Sequence, residues 1–189
     1  RYPTGHFLPW VNRLQLSTEL DMQVVDLALA AIDSNGRPVA ITLSVGSLDE
    51  SSFVSWIGER LTTKCDAAKQ LWVEVPEALA FRHMKNFKAL CRRVKSSGGK
   101  VGMGHAGHQL ARLGNLHDTG IDYLKVDASF VREIHANVAN QTLLRTLCTV
   151  GHSIGLKVYA EGVNVEEEFV TLLELGADGA TGPGISLPE

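Results

Sequence analysis

The chain has 189 residues, of which 44% are apolar and 21% charged, and its formal net charge is -3. That length supports one domain with a sizeable core, and the composition is that of a folded globular chain rather than a disordered one. Such a charge supplies no global field for a polyanion, which argues against bulk binding of DNA or RNA and leaves a local pocket as the place for any nucleotide.

In chain order, Asp21 to Ile32 reads as an amphipathic helix, Val39 to Ser44 as a short strand and Phe53 to Leu61 as a second helix. Leu79 to Ser97 carries Phe87, Leu90 and Val94 at helical spacing, and Gly98-Gly99 then precede a strand at Lys100 to Met103. Leu110 to Leu116 runs through Gly120 into a strand at Ile121 to Asp127. Leu143 to Ile154 runs through Gly155 into a strand at Leu156 to Glu161. Phe169 to Leu175 and Gly176 lead to a last short strand before Thr181-Gly182-Pro183. Asn164 with Glu167 has the pattern of a helix N-cap and its partner carboxylate.

This alternation implies right-handed crossovers and a parallel sheet, either a closed (β/α)8 barrel or an open doubly wound sheet. Periodicity does not choose between the two. Both gather the polar residues of strand C-terminal ends at one mouth: Thr42, Ser44, Glu74, Gly104, His105, Lys125, Asp127, Glu161 and Thr181.

Carboxylates there can hold a hard cation and Lys125 can face a phosphate, or the same residues can simply cap helices and bridge loops. His105 and His108 have the look of a zinc pair, but no cysteine or carboxylate stands near them at ligand spacing, so loop histidines are the default. A Schiff-base role for Lys125 has nothing else to support it. Neither GxGxxG nor GxxxxGK[ST] occurs, which excludes the usual dinucleotide and NTP loops. Trp10, Trp56 and Trp72 show no repeat and read as core or rim residues. The three cysteines, Cys65, Cys91 and Cys148, form no CxxC pair and fit a reducing compartment. No apolar run approaches the roughly 20 residues that span a bilayer, so no direct membrane contact is expected. The chain opens in mid-pattern at Arg1, as an excised or incompletely given domain would.

Several of these stretches, in this order, resemble the EAL family of cyclic di-GMP phosphodiesterases. Leu124 to Val131, Leu-Lys-Val-Asp-Ala-Ser-Phe-Val, is similar to the family's LKID.sFV, and Tyr159 to Val163 to iAEGVE. Ile41 to Ser44 sits where the family has Asn-Leu-Ser, and Glu74-Val75-Pro76-Glu77 where it has Glu-[Ile/Leu]-Thr-Glu. Pro3 to Val11 resembles the P..FIP.aE stretch, and its letters are most similar to the non-catalytic receptor branch of the LapD type.

The resemblance implies an α/β fold, a (β/α)8 TIM-type barrel with the ligand at its C-terminal mouth. Residues 1–189 would be a single EAL-like domain whose Glu-Ala-Leu strand precedes Arg1. Hydrolysing members hold two Mg²⁺ or Mn²⁺ ions with strand-end carboxylates and an Asn, which activate a water. Here the Asn is Thr42, the DDFGTG stretch reads Gly104-His105-Ala106-Gly107-His108-Gln109, and the Gln of QGY is Thr181. The second Glu of AEGVE is Asn164.

Each lost carboxylate weakens cation binding, so the resemblance with these departures implies no metal, no catalytic residue and negligible hydrolysis. Ligand binding needs no metal. Glu161 would accept from a guanine edge, Lys125 and Ser44 would face a phosphate, and Gly182 and Pro183 would shape the wall, with Asp127, Glu74 and Thr42 also lining it. The implied whole is a cyclic di-GMP receptor acting in biofilm and adhesion control. It would be the cytoplasmic domain of a bacterial inner-membrane protein, with other domains of the same receptor as partners. The resemblance also allows a homodimer, and the DDFGTG stretch, disrupted here, forms the loop that couples dimerisation to metal binding in active relatives. The alternatives are a weak phosphodiesterase using His105 as a replacement ligand, and a ligand-free protein-interaction module.

Overall fold

A computed structural model describes residues 11, 13–14, 16–44 and 46–185. Of the Pro3 to Val11 stretch only Val11 is included, and Trp10 lies outside the described residues. The chain divides into two compact units, 1–101 and 102–189, with the division inside a strand.

In the first unit, α1 (Ser17–Asn35) leads to β1 (Val39–Thr42), α2 (Ser51–Thr63), the short α3 (Cys65–Ala68), β2 (Leu71–Pro76), α4 (Glu77–Arg82) and α5 (Met84–Ser96). One spacing recurs on the helices. Val25, Ala28, Leu29 and Ile32 of α1 are buried at intervals of three, one and three residues, and Phe87, Leu90, Cys91 and Val94 repeat the pattern in α5. At 3.6 residues per turn that spacing makes a single stripe, and burying it is what holds each helix. β1 and β2 run parallel from Val39↔Leu71 to Thr42↔Glu74. Leu71, Val73 and Val75 of β2 are fully buried, and Glu74, facing the other way, is buried as well. A strand covered on both faces is the mark of a parallel sheet under helices.

The second unit takes up β3 (Lys100–Ala106) and continues through β4 (Tyr123–Val126), α6 (Ala128–Val131), α7 (Val138–Ser153), β5 (Lys157–Glu161), α8 (Glu166–Glu174) and β6 (Gly179–Thr181). A 3-10 segment of seven residues lies at Leu110–Leu116 and one of a single turn at Ile134–Ala136. β3 to β6 pair in parallel in chain order. The buried residues of α7, Leu144, Leu147, Cys148 and Gly151, again follow the three-one-three pattern. Gly155 ends that run at φ 79, a left-handed turn that a side chain would resist. Tyr123 and Tyr159 meet edge to face, centroids 5.5 Å apart.

The strand and helix alternation expected from the sequence is present, with specific differences. The expected helix from Leu79 to Ser97 is two helices, broken at His83, which takes φ -117 and ψ 46. Leu110 to Leu116 is 3-10 rather than α-helical. Glu74 is not a strand end, since β2 continues to Pro76. The N-cap of α8 is Val165, not Asn164, and the partner carboxylate is Glu168, not Glu167. Glu168 accepts from the backbone N–H of Asn164 at 2.7 Å, because the helix starts one residue later than the letters suggest.

Candidate ligand site

In the second unit the ends of β3, β4 and β5 bring together three side chains that stand far apart in sequence. The pairing of β3 with β4 runs Gly102↔Tyr123 and Met103↔Leu124, then slips so that Ala106 faces Val126. A slip of this kind re-aims the side chain within it. That side chain is His105, whose backbone takes φ 51, a left-handed conformation uncommon outside glycine. Its Nδ1 lies 3.0 Å from Asp127 Oδ2 and 2.8 Å from Glu161 Oε1.

Asp127 is held from both ends. It caps α6, its Oδ1 accepting from the Ser129 N–H at 2.8 Å, and its own N–H donates to the Ala106 carbonyl at 3.0 Å. Burial works against its charge, but hydrogen bonds from Ser129 and His105 outweigh that and hold the carboxyl below the usual carboxylate range. Glu161 closes β5 opposite Thr181 of β6. His108 Nε2 stands 3.8 Å from Asp127 Oδ1, and its ring lies against Phe130 at 4.9 Å between centroids. Lys125 is half-buried on β4, two residues before Asp127.

Gly182 fixes the turn beyond β6. At φ 155, a Cβ there would fall 2.2 Å from the Val163 carbonyl oxygen, so only glycine lets the two backbones touch. Val163 N–H donates to Thr181 at 3.1 Å, and Gly184 N–H donates to Val163 at 2.9 Å. Thr181 and Pro183 are exposed beside this contact.

In the first unit, Thr42 Oγ1 donates to Glu74 Oε2 at 3.3 Å. Ser44 turns toward α1, where its N–H and hydroxyl both donate to Asp21 Oδ2, at 2.7 and 3.0 Å. The Ser47 hydroxyl donates to the same oxygen. Burial pushes the Asp21 carboxyl up, against the pull of these hydrogen bonds. Sequence reasoning missed Asp21; an acidic residue among the buried positions of an amphipathic helix was the available signal. It also left His105 without a carboxylate neighbour. The structure corrects this, because strand order, not sequence spacing, delivers Asp127 and Glu161.

A pair of hard cations needs a dense set of oxygen donors. Thr42 offers a neutral hydroxyl already given to Glu74, Gly104 offers no side chain, and His105 offers nitrogen. Taken one by one, none of the three supplies the anionic or amide oxygen that such a pair draws on.

Comparison with known proteins places the fold. The family model described as EAL domain matches residues 1–188. Among curated relatives, the RNase E specificity factor CsrD of Escherichia coli K12 is 27% identical over 95% of this chain and 28% of its own length. The cyclic di-GMP phosphodiesterase PdeF of the same strain is 28% identical over 97% of this chain and 25% of its own length. The chain thus spans about a quarter of the length of either relative. Among solved structures, Vibrio cholerae LapD S helix-GGDEF-EAL, bound to c-di-GMP, superposes with a TM-score of 0.89 at 22% identity, covering 96% of this chain and 45% of that one. The Xanthomonas citri FimX EAL domain, in complex with c-diGMP, superposes at 0.85 with 21% identity, covering 94% and 72%. The fold is therefore α/β of the EAL barrel type.

Proposed function

The chain belongs to the EAL domain family, and we propose that residues 1–189 act as one domain that binds cyclic di-GMP without hydrolysing it. The observation that carries this reading is the end of β3, where Gly104 and His105 stand in place of the acidic pair that the family resemblance leads one to expect. Without those oxygens the paired cations have too few ligands, and without them no water is activated. The groups that would grip the nucleotide remain. Glu161 would accept from a guanine edge and Lys125 would face a phosphate oxygen, while Ser44, whose N–H and hydroxyl donate to Asp21, would have to turn from that carboxylate to do the same. Gly182 and Pro183 would form the wall, with Thr42, Glu74 and Asp127 alongside. Two structural relatives that carry cyclic di-GMP support the ligand class. The resemblance of this chain's letters to the non-catalytic receptor branch extends the proposal to a role in adhesion and biofilm signalling, as a cytoplasmic domain of a larger membrane receptor able to dimerise. Within this chain, no helix among the described residues is long and apolar enough to cross a membrane.

Calorimetry with cyclic di-GMP, with and without Mg²⁺, should give binding in both conditions and a marked loss in Glu161→Ala. Chromatography after overnight incubation with Mn²⁺ should return the nucleotide intact. Conversion to linear pGpG would favour the phosphodiesterase reading, which the likeness to PdeF keeps in view. Absence of any binding would favour a protein-interaction module.

A further inference from the structure

We propose that His105, Asp127 and Glu161 form a site for one borderline transition cation of the Zn²⁺ class, in place of a pair of hard cations. Among the described residues this is the single cluster of three histidine, cysteine or acidic side chains whose ligand atoms converge, all within 4.8 Å of one another. The convergence has an unusual feature. Two carboxylate oxygens close on the same imidazole nitrogen, at 3.0 and 2.8 Å, yet that nitrogen carries at most one proton to divide between them. A divalent cation among the three atoms serves all of them together.

The spacing is close to what such an ion requires. Ligands about 2.1 Å from a tetrahedral Zn²⁺ lie roughly 3.4 Å from one another, so each carboxylate oxygen has to move only about half an ångström from the imidazole nitrogen. The scaffold already fixes them: a register slip and a left-handed backbone present His105, the Ser129 and Ala106 hydrogen bonds anchor Asp127, and pairing with β6 anchors Glu161. One nitrogen and two carboxylates select against Mg²⁺, which prefers six oxygens, and toward ions that accept imidazole. The His105 side chain is 53% exposed, which leaves room for water or an exogenous ligand to complete the shell.

The test uses the chain without nucleotide, so its outcome is separate from that of the receptor reading. Cys65 is exposed and a soft ligand in its own right, so Cys65→Ser is the background. Titration with Zn²⁺ alone, followed by calorimetry, and with Co²⁺ as a spectroscopic probe, should give one ion per chain and tetrahedral Co²⁺ absorption. His105→Ala and Glu161→Gln should each weaken Zn²⁺ by at least about tenfold with circular dichroism and melting temperature retained. The shape-preserving Glu161→Gln keeps the test valid should His105→Ala fold poorly. His117→Ala, at a surface histidine paired with Asp118 at 2.7 Å, should bind as the background does. The proposal is overturned if both site variants bind Zn²⁺ as tightly as the background, if His117→Ala removes the binding, or if Mg²⁺ binds with equal affinity.

Discussion

The Lys157 ammonium lies 2.6 Å from Asp178 Oδ1, where the chain entering β5 meets the turn before β6. The other carboxylate oxygen accepts from the Val158 N–H at 2.8 Å and contacts His152 Nε2 at 2.7 Å. Burial alone would raise this carboxyl, but Lys157, the Val158 amide and His152 together bring it down to about 2. A carboxylate depressed in the folded state contributes stability that is complete above its unfolded value, about 3.9, and is lost as pH falls through about 2. Urea midpoints should therefore decline for the parent chain between those limits, while Asp178→Asn, already about 1–3 kcal/mol less stable at neutral pH, should decline less over that interval.

Glu168 is a second anchor, and its loss should be more local. One oxygen accepts from Glu133 N–H at 2.8 Å, and the other from Asn164 N–H at 2.7 Å, so a single buried side chain ties the turn after α6 to the start of α8. Its carboxyl is opposed by burial yet held below the usual range by those amides. Glu168→Ala removes the charged acceptor that these amides share, and should cost about 1.5–3 kcal/mol in urea unfolding. Hydrogen exchange should quicken at Glu133 and Asn164 before it does in the strands.

Such anchors also show where the letters stop being informative. The apolar stripes of α1, α5 and α7 are visible in the sequence because helix burial has a period that can be counted, and Gly155 marks a stop because few other residues tolerate its φ. The break at His83 carries neither proline nor glycine and falls within a continuous apolar pattern, so nothing local announces it. Asn164 is a good N-cap by type, but Glu168 lies where it can collect amides from two segments, and that tertiary contact sets the helix start. For the site, Asp127 and Glu161 were legible as strand ends. The aim of His105 was not, because it depends on a slip between β3 and β4 that no residue type specifies.

Gly182 should be intolerant of any side chain. A Cβ would sit 2.2 Å from the Val163 carbonyl oxygen and 2.4 Å from its nitrogen, so the turn after β6 has to move before even alanine fits. Gly182→Ala should lower stability by about 1–3 kcal/mol through backbone strain. If this turn helps to wall the nucleotide site, cyclic di-GMP affinity should fall along with it. A variant that melts earlier yet binds as well as the parent would assign Gly182 to architecture alone.

The departures at Thr42, Gly104 and His105 can be reversed, and that is the sharpest way to ask whether they decide the chemistry. Two carboxylates and an amide oxygen restored by Thr42→Asn, Gly104→Asp and His105→Asp raise the negative charge offered to a cation and replace a nitrogen donor by oxygen, which is what Mg²⁺ prefers. Mg²⁺ affinity should then increase at least about tenfold, or about 1.4 kcal/mol, by calorimetry, while Zn²⁺ affinity falls with the loss of imidazole. Slow release of pGpG should accompany the gain if positioning of the nucleotide has survived. The Gly104 side chain is the hardest part of the change, because β3 is buried there and a carboxylate without a cation is costly to bury. The triple variant should therefore be less stable than the parent in the absence of Mg²⁺ and regain melting temperature as Mg²⁺ is added, by mass action on the folded state. A melting temperature insensitive to Mg²⁺, in a variant shown to be folded, would mean that these three positions are not what keeps paired cations out.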